Sequence, residues 1–283
     1  MNLCDIRDIK ALLARHGFHF SKSMGQNFLI ESWVPEDIAA ASGADTGCGV
    51  LEIGPGIGPL TAQLCSRAEK VAAVELDTSL YPILAETMGG FDNFTLIPGD
   101  VMKLNVAALA EEQFPGLKKL VCANLPYNIT TPVLTKLVEA GCFEAITVMI
   151  QKEVALRIAA KPGTGDYGAF SLYMQYYTEP EVLFEVPPSC FLPAPKVTSA
   201  VLRCRVRKTP PVAPACGEEF LFSVIKAAFA QRRKTLLNNM KAFYSMSQQD
   251  AAAAIEAAGL PAQVRGEVLT LEEIARLYAA MQA

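Results

Sequence analysis

Asn124, Leu125, Pro126 and Tyr127 follow one another at the end of an apolar run, in the stretch ANLPYNIT. An amide, a proline and a flat ring at such a place suit one chemistry in particular. The exocyclic amine of a nucleobase is a poor nucleophile because its lone pair is delocalised into the ring. Acceptors aimed at both of its N–H groups favour a tetrahedral nitrogen, so positioning supplies most of the catalysis. Asn124 offers its side-chain carbonyl and Leu125 its main-chain carbonyl, while Pro126 adds no competing N–H and holds Leu125 extended. Tyr127 presents a ring on which a base removed from its stack can lie. Asn and Pro also serve an ordinary strand-ending turn.

Other strand ends narrow the choice. LEIGPGIGPLT puts Gly54, Gly56 and Gly58 between a strand-like and a helix-like run, where missing Cβ atoms let the backbone approach a ligand. A tight turn without a ligand uses glycine in the same way. Glu75, near the end of VAAVEL, follows about 20 residues on, where an acidic side chain accepts hydrogen bonds from ribose hydroxyls. The spacing G-x-G-x-G followed by Pro59 departs from the dinucleotide pattern G-x-G-x-x-G, whose helix N-terminus meets a pyrophosphate. S-adenosylmethionine carries an adenosine and an amino acid instead, and class I methyltransferases have a turn of this kind. FTLIPGD then delivers Asp100, which either accepts from the adenine amino group or stabilises a turn after Gly99.

The elements that must position these residues alternate from about residue 49. GVLEIG, KVAAVEL, FTLIPGD, KKLVCANL and AITVMIQ read as strands, with PLTAQLCSRA and TSLYPILAETM as helical patterns between them. This βαβ rhythm predicts a doubly wound α/β domain with a parallel sheet covered on both faces. KEVALRIAAK reads as helix, the Gly-rich KPGTGDYGAF as a mobile loop near the site or an exposed turn, and EVLFEV and TSAVLRCRV as further strands. The prolines of RKTPPVAPACGEE mark a boundary, beyond which EFLFSVIKAAFAQRRKTLLNNM, SQQDAAAAIEAAG and TLEEIARLYAAMQ all read as helix. The expected domains are 1–207, a Rossmann-like catalytic domain, and 208–283, a small all-helical one.

Composition sets outer limits. The 283 residues are 51% apolar, ample for a core, and no apolar stretch reaches the roughly 18 to 20 residues of a membrane span. The amphipathic start lacks a signal-peptide core, so a cytoplasmic protein with no membrane role is expected. The cysteines at 4, 48, 65, 122, 142, 190, 204 and 216 form no C-x-x-C pair and suggest neither zinc nor disulfides. His16 and His19 could share a metal, but no cysteine or carboxylate follows nearby, so no metal is assigned. A formal charge of −4 argues against bulk coating of nucleic acid. The segment from Arg203 to Lys241 is nevertheless basic, with Arg203, Arg205, Arg207, Lys208, Lys226, Arg232, Arg233, Lys234 and Lys241 facing only Glu218 and Glu219. Such a surface can bind phosphates.

Together these motifs resemble the ribosomal RNA adenine dimethyltransferases, and within them the bacterial small-subunit enzymes. The resemblance spans nearly the whole chain: KSMGQNFL, LEIGPGIGPLT, VEL, GDV, NLPYNITTPVL, MIQKEVALRI, FLPAPKVTSAV and FAQRRKTLLNNM. It implies a class I S-adenosylmethionine-dependent methyltransferase domain with a C-terminal helical domain that contacts RNA. By the same resemblance Gln26, Asn27 and Leu29 belong to a segment closing over the methionine part of the cofactor. Gly54, Gly56, Gly58, Glu75, Leu76, Asp100 and Val101 are the further expected cofactor contacts, and Asn124 lies between cofactor and target amine. Phe191 matches an aromatic that sandwiches the target adenine against Tyr127. Arg203, Arg232, Arg233 and Lys234 are expected to bind RNA. The competing uses are a core Phe191, a helix-capping Asn27, and a solvated helix face for Arg232 to Lys234.

The implied activity is dimethylation of N6 on two adjacent adenosines in the hairpin loop near the 3′ end of 16S rRNA, within the small (30S) subunit and linked to its biogenesis, by a monomer. A large-subunit (23S) rRNA dimethylase conferring antibiotic resistance and a largely non-catalytic ribosome-assembly factor are the alternatives. A dinucleotide oxidoreductase is remote.

Overall fold

The structure is a computed structural model that describes residues 1–20, 25–213 and 217–282. Lys22, Ser23 and Met24 of KSMGQNFL, and Cys216, lie outside the described residues. The chain divides into two compact units, residues 1–155 with 179–206, and residues 156–178 with 207–283.

The first unit opens with α1 (Ile6–Arg15), β1 (Phe28–Leu29) and α2 (Trp33–Ala41). It continues through β2 (Cys48–Ile53), α3 (Pro59–Cys65), β3 (Lys70–Glu75), α4 (Tyr81–Met88), β4 (Phe94–Pro98), α5 (Val106–Gln113), β5 (Lys118–Asn124), α6 (Thr130–Glu139) and β6 (Ala145–Gln151). The first half of α7 (Lys152–Ala159) belongs to the first unit, and its second half and α8 (Ala169–Tyr177) belong to the second. The chain then returns as β7 (Thr178–Val186), β8 (Phe191–Leu192) and β9 (Ser199–Val206).

The main sheet has the order β4-β3-β2-β5-β6-β9-β7. β4, β3, β2, β5 and β6 are parallel, and β9 pairs antiparallel with β6. The expectation of a parallel sheet therefore holds only up to β6. Beyond it the chain passes to the edge as β7, and β9 fills the gap, running back against β6. Every residue of β2 is buried, as a strand covered on both faces requires. On one face Cys48, Val50, Val71, Leu120, Cys122, Met149 and Val201 pack with Val34 and Ile38 of α2 and Leu60 and Leu64 of α3. Chain order reverses where β3 and β5 flank β2, and a crevice outside the carboxyl ends of the strands forms at such a switch point.

The second unit adds α9 (Glu218–Ala228), α10 (Leu236–Tyr244), α11 (Gln248–Ala257) and α12 (Leu271–Ala280). Its core includes Tyr167, Leu172 and Tyr176, so residues 156–178 group with the helices and not with the 1–207 segment. Tyr167, at 1% exposure, donates its hydroxyl to the Leu269 carbonyl at 2.8 Å. It is a core residue of this unit, while 162–166 form an exposed turn. The run 219–240, which reads as one helix, is broken between Ala228 and Leu236. Thr235 caps α10 by accepting from Asn238 N–H, and buried Asn239 donates to the carbonyls of Ala228 (2.9 Å) and Gln231 (3.2 Å). These bonds satisfy backbone groups that a continuous helix would have paired internally.

Candidate functional site

One cavity collects residues from the β1 segment and the ends of β2, β3, β4 and β5. Gln26, Asn27, Leu29, Gly54, Gly56, Glu75, Leu76, Asp100, Val101, Asn124, Leu125, Pro126, Tyr127 and Phe191 all line it. Gly58 does not. It is the N-cap of α3 with φ 96°, and a Cβ there would lie 2.8 Å from the Met88 methyl. Its glycine is required by a positive φ and by packing.

Gly54 and Gly56 also have positive φ, 68° and 62°, and a Cβ on Gly56 would approach the Phe28 ring to 3.3 Å. The turn they form carries the N–H of Gly56 to the Glu75 carboxylate, which also accepts from the N–H of Asp77 (2.8 Å) and of Leu76. Burial pushes the Glu75 carboxyl up, and these backbone donors partly offset it. Asp77 in turn accepts from the Gln26 amide at 2.6 Å, tying the β1 segment to the end of β3. Asn27 donates to Gly25 O at 3.0 Å and precedes a strand, so it caps no helix.

The end of β5 is tied to its neighbours. Leu125 N–H donates to Met149 O at 3.1 Å, and Pro126 accepts from Ile129 N–H and the Thr130 hydroxyl, both at 3.2 Å. Tyr127 is half-buried, with its hydroxyl 2.6 Å from Ser199 Oγ. Burial raises its pKa, which keeps that hydroxyl protonated. Phe191, at 3% exposure, packs in the core, as its competing use expects, and is also among the residues lining the cavity. Its main chain pairs with Leu29 of the β1 segment.

Glu52, Asp77 and Asn128 also line the cavity and escaped the reading of the sequence. Glu52 is 1% exposed, its Oε2 has no hydrogen-bond partner, and burial pushes its carboxyl up to about 8. A glutamate inside the otherwise apolar run GVLEIG was the available signal.

Among the described lining residues are the acids Glu75, Asp77 and Asp100, the buried carboxyl of Glu52, and no lysine, arginine or histidine. That donor set disfavours a pyrophosphate and suits a cationic ligand with ribose hydroxyls and an amine to donate. S-adenosylmethionine has these groups. Glu75 would hold its ribose and Asp100 its adenine.

The basic residues fall elsewhere. Arg203, on β9, is committed to Glu181 (2.8 Å), which Arg205 also approaches at 3.4 Å. Arg232 donates to Gly165 O at 2.7 Å and lies 3.8 Å from Glu267. Arg233 and Lys234 are exposed, in the turn before α10 and not on a helix face, with no ion pair among the described residues. His16 bonds Glu86 at 2.6 Å, and Arg15 pairs with the same carboxylate.

Two solved structures share this shape. A crystal structure of the 23S rRNA methyltransferase ErmE superposes with a TM-score of 0.69 at 26% identity, covering 91% of this chain and all of that one. That of a dimethyladenosine transferase from Plasmodium falciparum gives 0.71 at 23% identity over 88% and 95%, a likeness of fold. The first unit has the class I Rossmann-like methyltransferase fold. Sequence relatives share more. The ribosomal RNA small subunit methyltransferase A of Geobacillus thermodenitrificans is 47% identical over 96% of this chain and 94% of its own, and that of Streptococcus sanguinis 45% over 100% and 99%. The model of one family matches residues 17–280, both units included, and the chain belongs to that family, the ribosomal RNA adenine dimethylases.

Proposed function

We propose that this chain transfers methyl groups from S-adenosylmethionine to N6 of two adjacent adenosines in the hairpin loop near the 3′ end of 16S rRNA, two to each. The substrate is the small (30S) subunit, and the protein acts as a cytoplasmic monomer that contributes to subunit biogenesis. The observation that carries the reading is the position of Asn124. It ends β5 in the same cavity as Glu75 and Asp100, with Leu125 and Tyr127 beside it.

When bound, S-adenosylmethionine supplies an electrophilic methyl group. The protein contributes orientation. The Asn124 side-chain carbonyl and the Leu125 carbonyl accept the two N–H groups of the target amine, which draws its lone pair out of the ring. Pro126 holds this turn without adding a donor. Tyr127 and Phe191 give apolar faces for the base, and Arg233 and Lys234 are free to meet phosphates.

The names of the relatives at 45–47% identity support the small subunit as the substrate. The likeness to ErmE, at 26% identity, is what a 23S activity would rest on. Incubation with labelled S-adenosylmethionine and undermethylated small or large subunits separates the two: label in 16S adenosines is expected. Label confined to 23S rRNA, or none, rejects the assignment. Asn124→Ala is expected to keep cofactor affinity and lose methyl transfer.

A further inference from the structure

The buried Ser199 hydroxyl has the Tyr127 hydroxyl as its partner. We infer that Ser199 is a positioning residue for methyl transfer, holding the Tyr127 ring in the place where it receives the target base. The inference rests on the function proposed above.

Ser199 is fully buried, at 0% exposure, at the start of β9, opposite Gln151 of β6. A hydroxyl so placed must find a partner, and it finds Tyr127 at 2.6 Å. The bonds onto the Pro126 carbonyl fix the main chain of the turn, and so the Cβ end of the tyrosine. They leave its side-chain rotamer open. Ser199 secures the other end, so the ring axis is held at both.

The bond also ties Tyr127 to the strand that follows the segment carrying Phe191. Phe191 lies on the segment that leads into β9, and its backbone is pinned to Leu29. Next to Ser199, Thr198 accepts from Lys152 N–H at 3.0 Å, which locks the start of β9 onto the end of β6. Leu125 N–H locks the turn after β5 onto the same strand through Met149. Tyr127 to Ser199 is the side-chain bond across this frame, and it sets where one aromatic wall stands with respect to the segment carrying the other. A small loss of position at an alignment step costs far more in rate than in binding.

The test uses the full-length protein with undermethylated small subunits and labelled S-adenosylmethionine. Ser199→Ala and Tyr127→Phe are each expected to lower kcat about tenfold, with S-adenosylmethionine affinity by calorimetry within about twofold of wild type. The double variant should lose no more than either single one, because both remove the same bond. Ser199→Thr, which keeps a hydroxyl, should recover much of the rate. If Ser199→Ala lowers the melting temperature too far for assay, Tyr127→Phe reads the bond from its other end. A kcat within about twofold of wild type in Tyr127→Phe, or losses that multiply in the double variant, overturns the inference. Absence of methyl transfer by the wild type would instead reject the proposed function, which makes the two failures distinct.

Discussion

The Gln26 side-chain amide donates to Asp77 Oδ2 at 2.6 Å, and the Asp77 N–H donates to Glu75 Oε1 at 2.8 Å. The segment before β1 is thus linked through one carboxylate to the acid expected to hold a ribose. Ser79 occupies the other oxygen of Asp77 through its N–H and its hydroxyl, at 3.0 and 2.6 Å. Removing Gln26 therefore loosens the wall of the cavity without unfolding the end of β3. Gln26→Ala is expected to weaken S-adenosylmethionine about tenfold, the lower end of what one hydrogen bond to a charged group is worth. Isothermal calorimetry measures it, and an unchanged affinity rejects the link.

Glu52 makes stability depend on pH. Its carboxyl ionises near 4.5 in the unfolded chain and at about 8 in the folded one, because burial disfavours the charge. Below about pH 4.5 it is protonated in both states and contributes nothing to the difference. Between these values only the folded state holds the proton, so raising the pH favours unfolding by up to about 1.4 kcal/mol per pH unit. Glu52→Gln, uncharged throughout, is expected to unfold at higher denaturant concentration than wild type at pH 8, with the gap closing towards pH 5. Urea titrations across this range check it. A gap independent of pH would mean that Glu52 is ionised in the folded protein.

The central strands were readable because burial on both faces leaves unbroken apolar runs. AITVMIQ coincides with β6, and the residues closing the other runs mark where the cavity lies. Less readable were α2 and α6, whose first turns contain Pro35 and Pro132. Proline reads as a breaker, yet the first turn of a helix has no internal acceptor for its N–H groups. The break after Ala228 was hidden for another reason. Leu-Leu-Asn-Asn-Met continues a helical pattern, and only the fold shows that Asn239 spends its amide on earlier carbonyls. The pairing of Arg203 with Glu181 was equally invisible, since strand neighbours distant in the chain set it.

Asn239 carries the turn between α9 and α10, so its loss should be felt by the second unit. Asn239→Ala leaves the Ala228 and Gln231 carbonyls without that donor and is expected to cost about 2 kcal/mol. Asn238→Ala, on the exposed side of the same helix turn, is expected to cost under about 0.5 kcal/mol. Denaturant unfolding of the two variants compares them directly. Equal losses would show that the broken helix owes nothing to the buried amide.

Arg232 and its neighbours should separate by role despite their adjacency. Arg233 and Lys234 are exposed and without ion pairs among the described residues, whereas Arg232 is bonded to Gly165 O and faces Glu267. A cation free of internal partners can give its full charge to a phosphate. One already engaged must first break a contact. Arg233→Ala with Lys234→Ala is therefore expected to weaken binding to small-subunit RNA and to reduce the slope of log K against log salt by roughly 1.5 to 2. Arg232→Ala should change that slope less, and instead lower the protection from hydrogen exchange around Gly165. S-adenosylmethionine affinity should stay at the wild-type value in both. Filter binding over a series of salt concentrations gives the slopes, and an equal change for Arg232 and for the Arg233 and Lys234 pair would remove the distinction.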